Sequence, residues 1–294
     1  LSRSFEGPYG GGYFSRCMIP VRAASTRVIS APGGLRAHPF FNIAPPERLD
    51  YTTPEVIAVP SIDSIINRQL LRWELQRKAA EESKRERPRP QPIVTTSRQT
   101  GSRGSYFASR LAGRLNYQRL HREAIDAICK SSGHRKRIIE ALDERSRSDL
   151  RVLVESLFTG HAVNHSDYLR HLSNVVLSMS RLGGVVVMGR GASFILGPGR
   201  GFHIRVVCPR EKRIENLIKY VQLSEKDAAR QVDTLDEQRR NFIRKVFGKD
   251  IDCPLNYDVV MNSAMIDVEE MVDMAVTAMH AKMDKLTHLE HDEF

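Results

Sequence analysis

Three stretches of the chain hold residues whose types and spacing suit the handling of phosphate. In the first, the β-branched run "IVTT" (93–96) passes through "SRQTGSRGS" (97–105) into the Ala/Leu/Arg-rich "YFASRLAGRL" (106–115). A strand, a Gly/Ser loop and a helix together aim backbone N–H groups at an anion, and the helix N-terminus adds its dipole. Gly101 and Gly104 permit tight backbone geometry, Ser102 and Ser105 offer hydroxyls to phosphate or magnesium, and Arg98 and Arg103 bring positive charge. The full GxxxxGK(S/T) pattern is absent: Arg98 occupies the first glycine position, Arg103 the second and Gly104 the lysine. Without context the stretch also reads as an ordinary βα turn.

The second stretch is "VVVMGRGASFIL" (185–196), an apolar run that ends in Gly189-Arg190-Gly191. Ligands of open α/β sheets bind beyond the carboxyl ends of the strands, so Arg190 is placed to reach the same crevice as the first loop, and its guanidinium suits bidentate phosphate recognition. A surface arginine in a turn is the alternative. The third stretch is "TLDEQRRNFIRKVFG" (234–248), where Arg240 and Arg244 share a helical face at i,i+4 and Arg239 is adjacent. Guanidiniums converging on a polyphosphate neutralise charge that moves between donor and acceptor during phosphoryl transfer. A solvated helix with an Asp236–Arg240 pair accounts for the same spacing.

The elements that must carry these residues begin at residue 93. Short β-rich runs at 93–96, 185–188, 203–208 and 258–262, with a weaker one near 117–120, alternate with helical patterns at 121–130, 147–158, 166–182, 210–220, 224–247 and 267–285. Ser224 with Asp227, and Asp267 with Glu270, are spaced like capping boxes. Alternation of this kind predicts a parallel sheet covered on both faces.

Taken in order, these segments resemble the cytidylate-kinase-like family of P-loop nucleoside-monophosphate kinases over roughly residues 93 to 281. The resemblance runs through "SRQTGSRGS", "HREAIDAICKSSG", "DERSRSDL", "YLRHL", "GRGASFIL" and "DVEEMVDM", and is most specific from Leu223 to Asn262. It implies an α/β three-layer sandwich with a five-stranded, mostly parallel sheet, a phosphate loop after the first strand and a mobile arginine-bearing lid. It further implies that the 98–105 loop holds donor phosphates of ATP, with Ser105 as a magnesium contact. Arg190 would then hold the acceptor monophosphate, Arg239, Arg240 and Arg244 the transferring group, and Asp236 would orient the lid. The chain departs from the family pattern at Arg103, which either replaces the lost lysine charge or fills the phosphate pocket. It departs again at His121, where the "DRE" pattern has aspartate, and at Gly191, where true cytidylate kinases have aspartate although the wider group often has glycine.

The region before residue 93 has a different composition. Eleven of the 14 prolines precede it, which prevents helices and central strands and leaves little to bury. Residues 1–40 carry five arginines, no lysine and the single acid Glu6, an Arg-rich, acid-poor, Ser-rich composition that predicts an organellar transit region; a first residue of Leu rather than Met suits a processed precursor. One helix is expected within the extension, at 61–87, with Ser61 as N-cap and Ile62, Ile66, Leu70 and Trp73 on one stripe, packed on its own domain or docked on a partner. The chain therefore divides into an extended arm (1–60), a helix and Pro-rich linker (61–92), a kinase-like domain (93–285) and a polar tail (286–294).

The net charge of +10 favours acidic partners such as phosphate or RNA. Cys17, Cys129, Cys208 and Cys253 have no zinc or disulfide spacing, the tail residues His288, His291 and Asp292 make no metal site, and apolar runs such as "GGVVVMG" are far too short to span a membrane. The lost lysine, the extension and the basic charge lead to the expectation of a catalytically impaired family member. It would serve as an accessory subunit of a large assembly on the matrix side of the mitochondrion, a respiratory-chain complex or a ribosome. Residues 1–92 would contact other protein subunits, with RNA as a further partner. The alternative is an active kinase that transfers phosphate from ATP to (d)CMP with magnesium.

Overall fold

The computed structural model describes residues 61–82, 91–158 and 167–292. The expected arm, the end of the first helix with the linker that follows, and the last tail residues lie outside these segments. A five-stranded parallel sheet in the order β2-β3-β1-β4-β5 forms the middle layer. The strands are β1 (Val94–Arg98), β2 (Gln118–Leu120), β3 (Val185–Met188), β4 (Phe202–Val207) and β5 (Val259–Asn262). In the centre, Thr95 of β1 aligns with Val187 of β3 on one side and with His203 of β4 on the other.

Side chains alternate across a strand, and each face of the sheet has its own helical cover. Val186 and Met188 join Val94, Phe202, Ile204 and Val206 in a core closed by α2 (Gly104–Leu115) and α10 (Val268–Asp292), through Phe107, Leu111, Met271 and Val272. Val185 and Val187 turn to the opposite core, built from α3 (Arg122–Lys130), α4 (Ser132–Glu140), α5 (Glu144–Phe158) and α6 (Asp167–Leu182). A polar row crosses that second face between β1 and β4: Thr95 Oγ1 lies 2.8 Å from His203 Nδ1, and Arg205 Nη1 donates to Ser97 Oγ at 2.8 Å.

The first helix, α1 (Ile62–Glu82), packs on this same domain. Ile65 and Ile66 are fully buried, Ile62, Leu70 and Trp73 lie against the second core, and the Gln69 amide donates to Gly183 O at the entrance to β3. Ser61 caps it as expected, its hydroxyl accepting from Ser64 N at 3.1 Å. The stripe is accounted for by the chain's own core.

Each expected capping pair makes one of the two backbone bonds of a capping box: Asp227 N donates to Ser224 Oγ at 3.2 Å, and Asp267 N to Glu270 Oε2 at 3.1 Å. Two helices were not legible in the sequence. In α4 a single buried residue, Ile138, leaves no apolar stripe, and α7 (Ala192–Leu196) is too short to show a period. Helix α5 begins earlier than expected because Asp143 Oδ1 accepts from Ser146 N at 2.7 Å. The connection from β4 to β5 is the helix pair α8 (Arg210–Val221) and α9 (Glu225–Phe247), packed around Leu217, Ala228 and Val232.

Candidate functional site

The carboxyl ends of β1 and β3, the loop 98–105 and helix α9 enclose two adjoining clefts. The first, of about 490 Å³, is lined by Ser97, Arg98, Arg122, Glu123, Gly189, Arg190, Arg239 and Phe242 among others. The second, of about 430 Å³, lies beyond the loop and is lined by Arg98, Gly101, Arg103, Gly104, Ser105, Tyr106, Asn216, Tyr220 and Arg239. Arg98 and Arg239 belong to both. Four arginines face the first cleft against one carboxylate, Glu123, and three face the second against none.

The loop is held from the α8–α9 side. Asp236 is buried at 9 % exposure, and its carboxylate accepts from Thr100 N and Thr100 Oγ1, both at 2.8 Å, from Arg239 Nη1 at 2.9 Å and from Arg213. Arg213, equally buried, also donates to Thr100 O, and Asn216 Nδ2 donates to Gly101 O at 2.9 Å. Gly101 sits at φ +78°, and a Cβ there would lie 2.4 Å from Arg213 O, so glycine is needed both for conformation and for this close approach. The pairing drawn from helical spacing, Asp236 with Arg240, is corrected. Asp236 faces inward to Thr100, whereas Arg240 is exposed and stands 4.0 Å from Asp252.

Arg98 ends β1, and its Nε donates to Ser105 Oγ at 3.2 Å. A Cβ on Gly189 would lie 3.2 Å from Arg98 Nη1, so the missing side chain leaves room for the guanidinium. Burial, then the charge of Arg239, push the Arg98 pKa down to about 10, and burial lowers that of Arg239 against the opposing pull of Asp236. An arginine keeps its proton in spite of this; the direction reflects chiefly the cost of burying the charge.

Arg103 stands in the left-handed region at φ +57°, as the N-cap of α2 with no side-chain cap bond. Its guanidinium lies between two aromatic rings, 5.1 Å from the Tyr106 centroid and 5.0 Å from that of Tyr220. Arg103 thus stands at the wall of the second cleft with its charge held against tyrosine faces beside the loop. Gly104 opens the helix where a Cβ would strike Arg98 Cβ at 2.5 Å. Ser102 is fully buried: its hydroxyl donates to Gln99 O and its carbonyl accepts from Ser263 Oγ, each at 2.8 Å, so it shapes the loop and lines neither cleft.

Arg190, at φ +55°, lines the first cleft but is paired with Asp126, whose other oxygen accepts from Tyr168 Oη at 2.7 Å; the Arg190 guanidinium also lies over the Tyr168 ring. Burial and the bond to Asp126 raise the Tyr168 phenol, which stays protonated as the donor. Arg190 Nε is buried without a partner. Gly191, at φ +69°, is pressed by the lid helix, since a Cβ there would lie 2.3 Å from the Phe247 ring. Arg244 is exposed and lines neither cleft. The structure thus brings Arg98, Arg190 and Arg239 together and sets Arg240 and Arg244 outside. Arg213, Asn216, Asp126 and Tyr220 escaped sequence reasoning because they lie on other elements, Asn216 being 115 residues from the Gly101 carbonyl it holds.

A nucleotide triphosphate fits this charge pattern, with uncapped N–H groups at the start of α2 and an arginine wall. Magnesium does not fit the protein's own donors. The Ser105 hydroxyl already accepts from a cation, and the cleft it lines has no carboxylate; Glu123 is the one carboxylate on either cleft and lies on the other. The described cysteines are free thiols, and burial pushes Cys129 up to about 11.

An all-parallel five-stranded sheet with a strand–loop–helix anion site and an arginine-bearing helical insertion defines a P-loop kinase-like nucleotide-binding fold. Residues 93–265 match the model of the cytidylate kinase-like family, and the chain belongs to that family. An uncharacterised protein from Eubacterium ventriosum ATCC 27560 has the same fold, with a TM-score of 0.52 at 18 % identity over 65 % of this chain and 99 % of that one. A gluconokinase from Sinorhizobium meliloti 1021 aligns at a TM-score of 0.37 and 13 % identity, covering 71 % of this chain and all of that one. A stretch of 94 residues, 32 % of this chain, is 33 % identical to a Corynebacterium glutamicum protein named uronate isomerase, of whose length the match spans 18 %.

Proposed function

We propose that the chain is a nucleotide-phosphate-binding member of its family in which phosphoryl transfer is impaired, and that it serves as an accessory subunit of a large mitochondrial assembly. The observation that carries the binding half is a pair of arginines that line both clefts beside the N-terminus of α2: the half-buried Arg98, whose guanidinium donates to the neutral Ser105 hydroxyl, and Arg239, paired with Asp236. The impairment is supported by the same residue. In-line transfer needs an open path from donor to acceptor, and the Arg98 side chain stands between the two clefts where the family loop begins with glycine. Arg190, the acceptor-side guanidinium, is moreover engaged by Asp126 and Tyr168. The assembly half rests on the composition of the region before residue 93 outside α1, whose apolar stripe is taken up by the chain's own core, with other protein subunits as partners and RNA phosphate as a further ligand of the basic surface.

An active kinase, from ATP and (d)CMP to ADP and (d)CDP, is the second reading, favoured by the presence of Arg98, Arg190 and Arg239 on one cleft. Positioned charge does most of the work in phosphoryl transfer. The purified chain, given magnesium-ATP and each nucleoside monophosphate in turn, is expected to bind nucleotide and release no ADP. Turnover of about 1–100 per second, abolished by Arg190→Ala, establishes the kinase instead. Isolation of the native particle tests the partner. Co-migration with rRNA or with membrane complexes identifies the assembly, and recovery as a lone monomer or dimer rejects it.

A further inference from the structure

In the P-loop pattern the hydroxyl after the lysine position contacts the metal that accompanies the phosphates. Here that residue is Ser105, and the cation beside its hydroxyl belongs to the protein: Arg98 Nε donates to it at 3.2 Å. Room for the guanidinium is built in, because Gly189 has no Cβ to meet Arg98 Nη1 and Gly104 has none to meet Arg98 Cβ. The cleft on the phosphate-loop side has no carboxylate in its lining that would recruit a divalent ion; Arg239 lines it too, with Asp236, which faces inward to Thr100, as its partner.

We propose that the Arg98 guanidinium takes the place of the divalent metal, so that the site binds the polyphosphate of a nucleoside triphosphate as its metal-free anion. This rests on the nucleotide-binding reading above and deepens it. A guanidinium offers several fixed donors in one plane and bridges neighbouring phosphate oxygens, as a metal does, without needing oxygen ligands from the chain. An incoming metal-bound triphosphate instead carries its own dication toward Arg98 and Arg239 with part of its negative charge already neutralised. The anion that compensates Arg98 best, since Arg239 already has Asp236, is the one stripped of metal.

The experiment is isothermal titration of the full chain with ATP, and separately with inorganic tripolyphosphate, in EDTA and in excess magnesium chloride. Both ligands are expected to bind in EDTA, and magnesium to weaken each by roughly tenfold, the effect of about one lost charge contact. Arg98→Gln is expected to lose at least tenfold in EDTA and to lose the preference for metal-free ligand, while Arg98→Lys recovers part of both. Manganese added with ATP and followed by electron paramagnetic resonance needs no variant, and no protein-bound ion signal is expected. Tighter binding in magnesium than in EDTA overturns the metal replacement and leaves the nucleotide site standing. So does an Arg98→Gln chain that folds and binds as the parent does. Absence of binding in both buffers overturns the replacement and the nucleotide site together.

Discussion

Asp236 is the residue on which loop and lid depend together, and its replacement by alanine has a magnitude that follows from the contacts. Its carboxylate receives Thr100 N and Oγ1 at 2.8 Å each, Arg239 Nη1 at 2.9 Å, and Arg213. Removing it leaves the Arg213 guanidinium, at 8 % exposure, without its partner, and breaking a buried pair from one side costs about 3–5 kcal/mol. The Thr100 amide loses its acceptor as well, which costs about 1–3 kcal/mol if no water replaces it. The two share one network and do not add, and Arg239, a third exposed, contributes less. The expected loss is therefore about 3–5 kcal/mol in urea unfolding, with exchange of the Thr100 amide accelerated and tripolyphosphate affinity reduced tenfold or more. The double variant R213M/D236L, which removes both charges, should recover at least half of the loss. A cost below about 1 kcal/mol for Asp236→Ala, with the Thr100 amide still protected, refutes the assignment of Asp236 as the clamp of the loop.

Three further outcomes are expected. Gly191→Asp, which restores the acid of true cytidylate kinases, sets a Cβ 2.3 Å from Phe247 at φ +69°, and should destabilise by about 1–3 kcal/mol in thermal unfolding; an unchanged Tm would show that α9 yields freely there. Arg103→Gly removes two cation–π contacts of about 0.5–1 kcal/mol each while relieving a left-handed residue of about 1–2 kcal/mol, so stability should stay within about 1 kcal/mol and ATP affinity should hold; a large loss of affinity would return Arg103 to the phosphate site. His203 is held neutral, its pKa lowered chiefly by burial, so the unfolded chain binds the proton first as pH falls below about 6.5. Stability should decline on acidification from that point down to the folded pKa, with a slope of at most about 1.4 kcal/mol per pH unit from this residue. His203→Gln should flatten the decline, and an unaltered urea midpoint profile between pH 7 and 5 would exclude His203 as its source.

The sequence determined the sheet and the neighbourhood of the site. A short β-branched run such as "VVVM" flanked by glycines reads as a strand buried on both faces, and Val185 and Val187 do enter one core while Val186 and Met188 enter the other. Capping at Ser224 and Asp267 was readable because it joins residues three apart. The Gly/Ser loop and Gly-Arg-Gly turn marked where phosphate chemistry belongs, since strand ends in such a sheet converge. What each arginine does was decided only in three dimensions. Helical spacing paired Asp236 with Arg240, yet a carboxylate takes whichever donors surround it, and these are the buried Thr100 of the loop and Arg213 of α8, with the half-buried Arg239 of α9 itself. Arg103, a candidate for the missing lysine, is drawn to Tyr106 and Tyr220, while Arg98 lines both clefts because Gly189, in the turn after β3, leaves the space for its guanidinium.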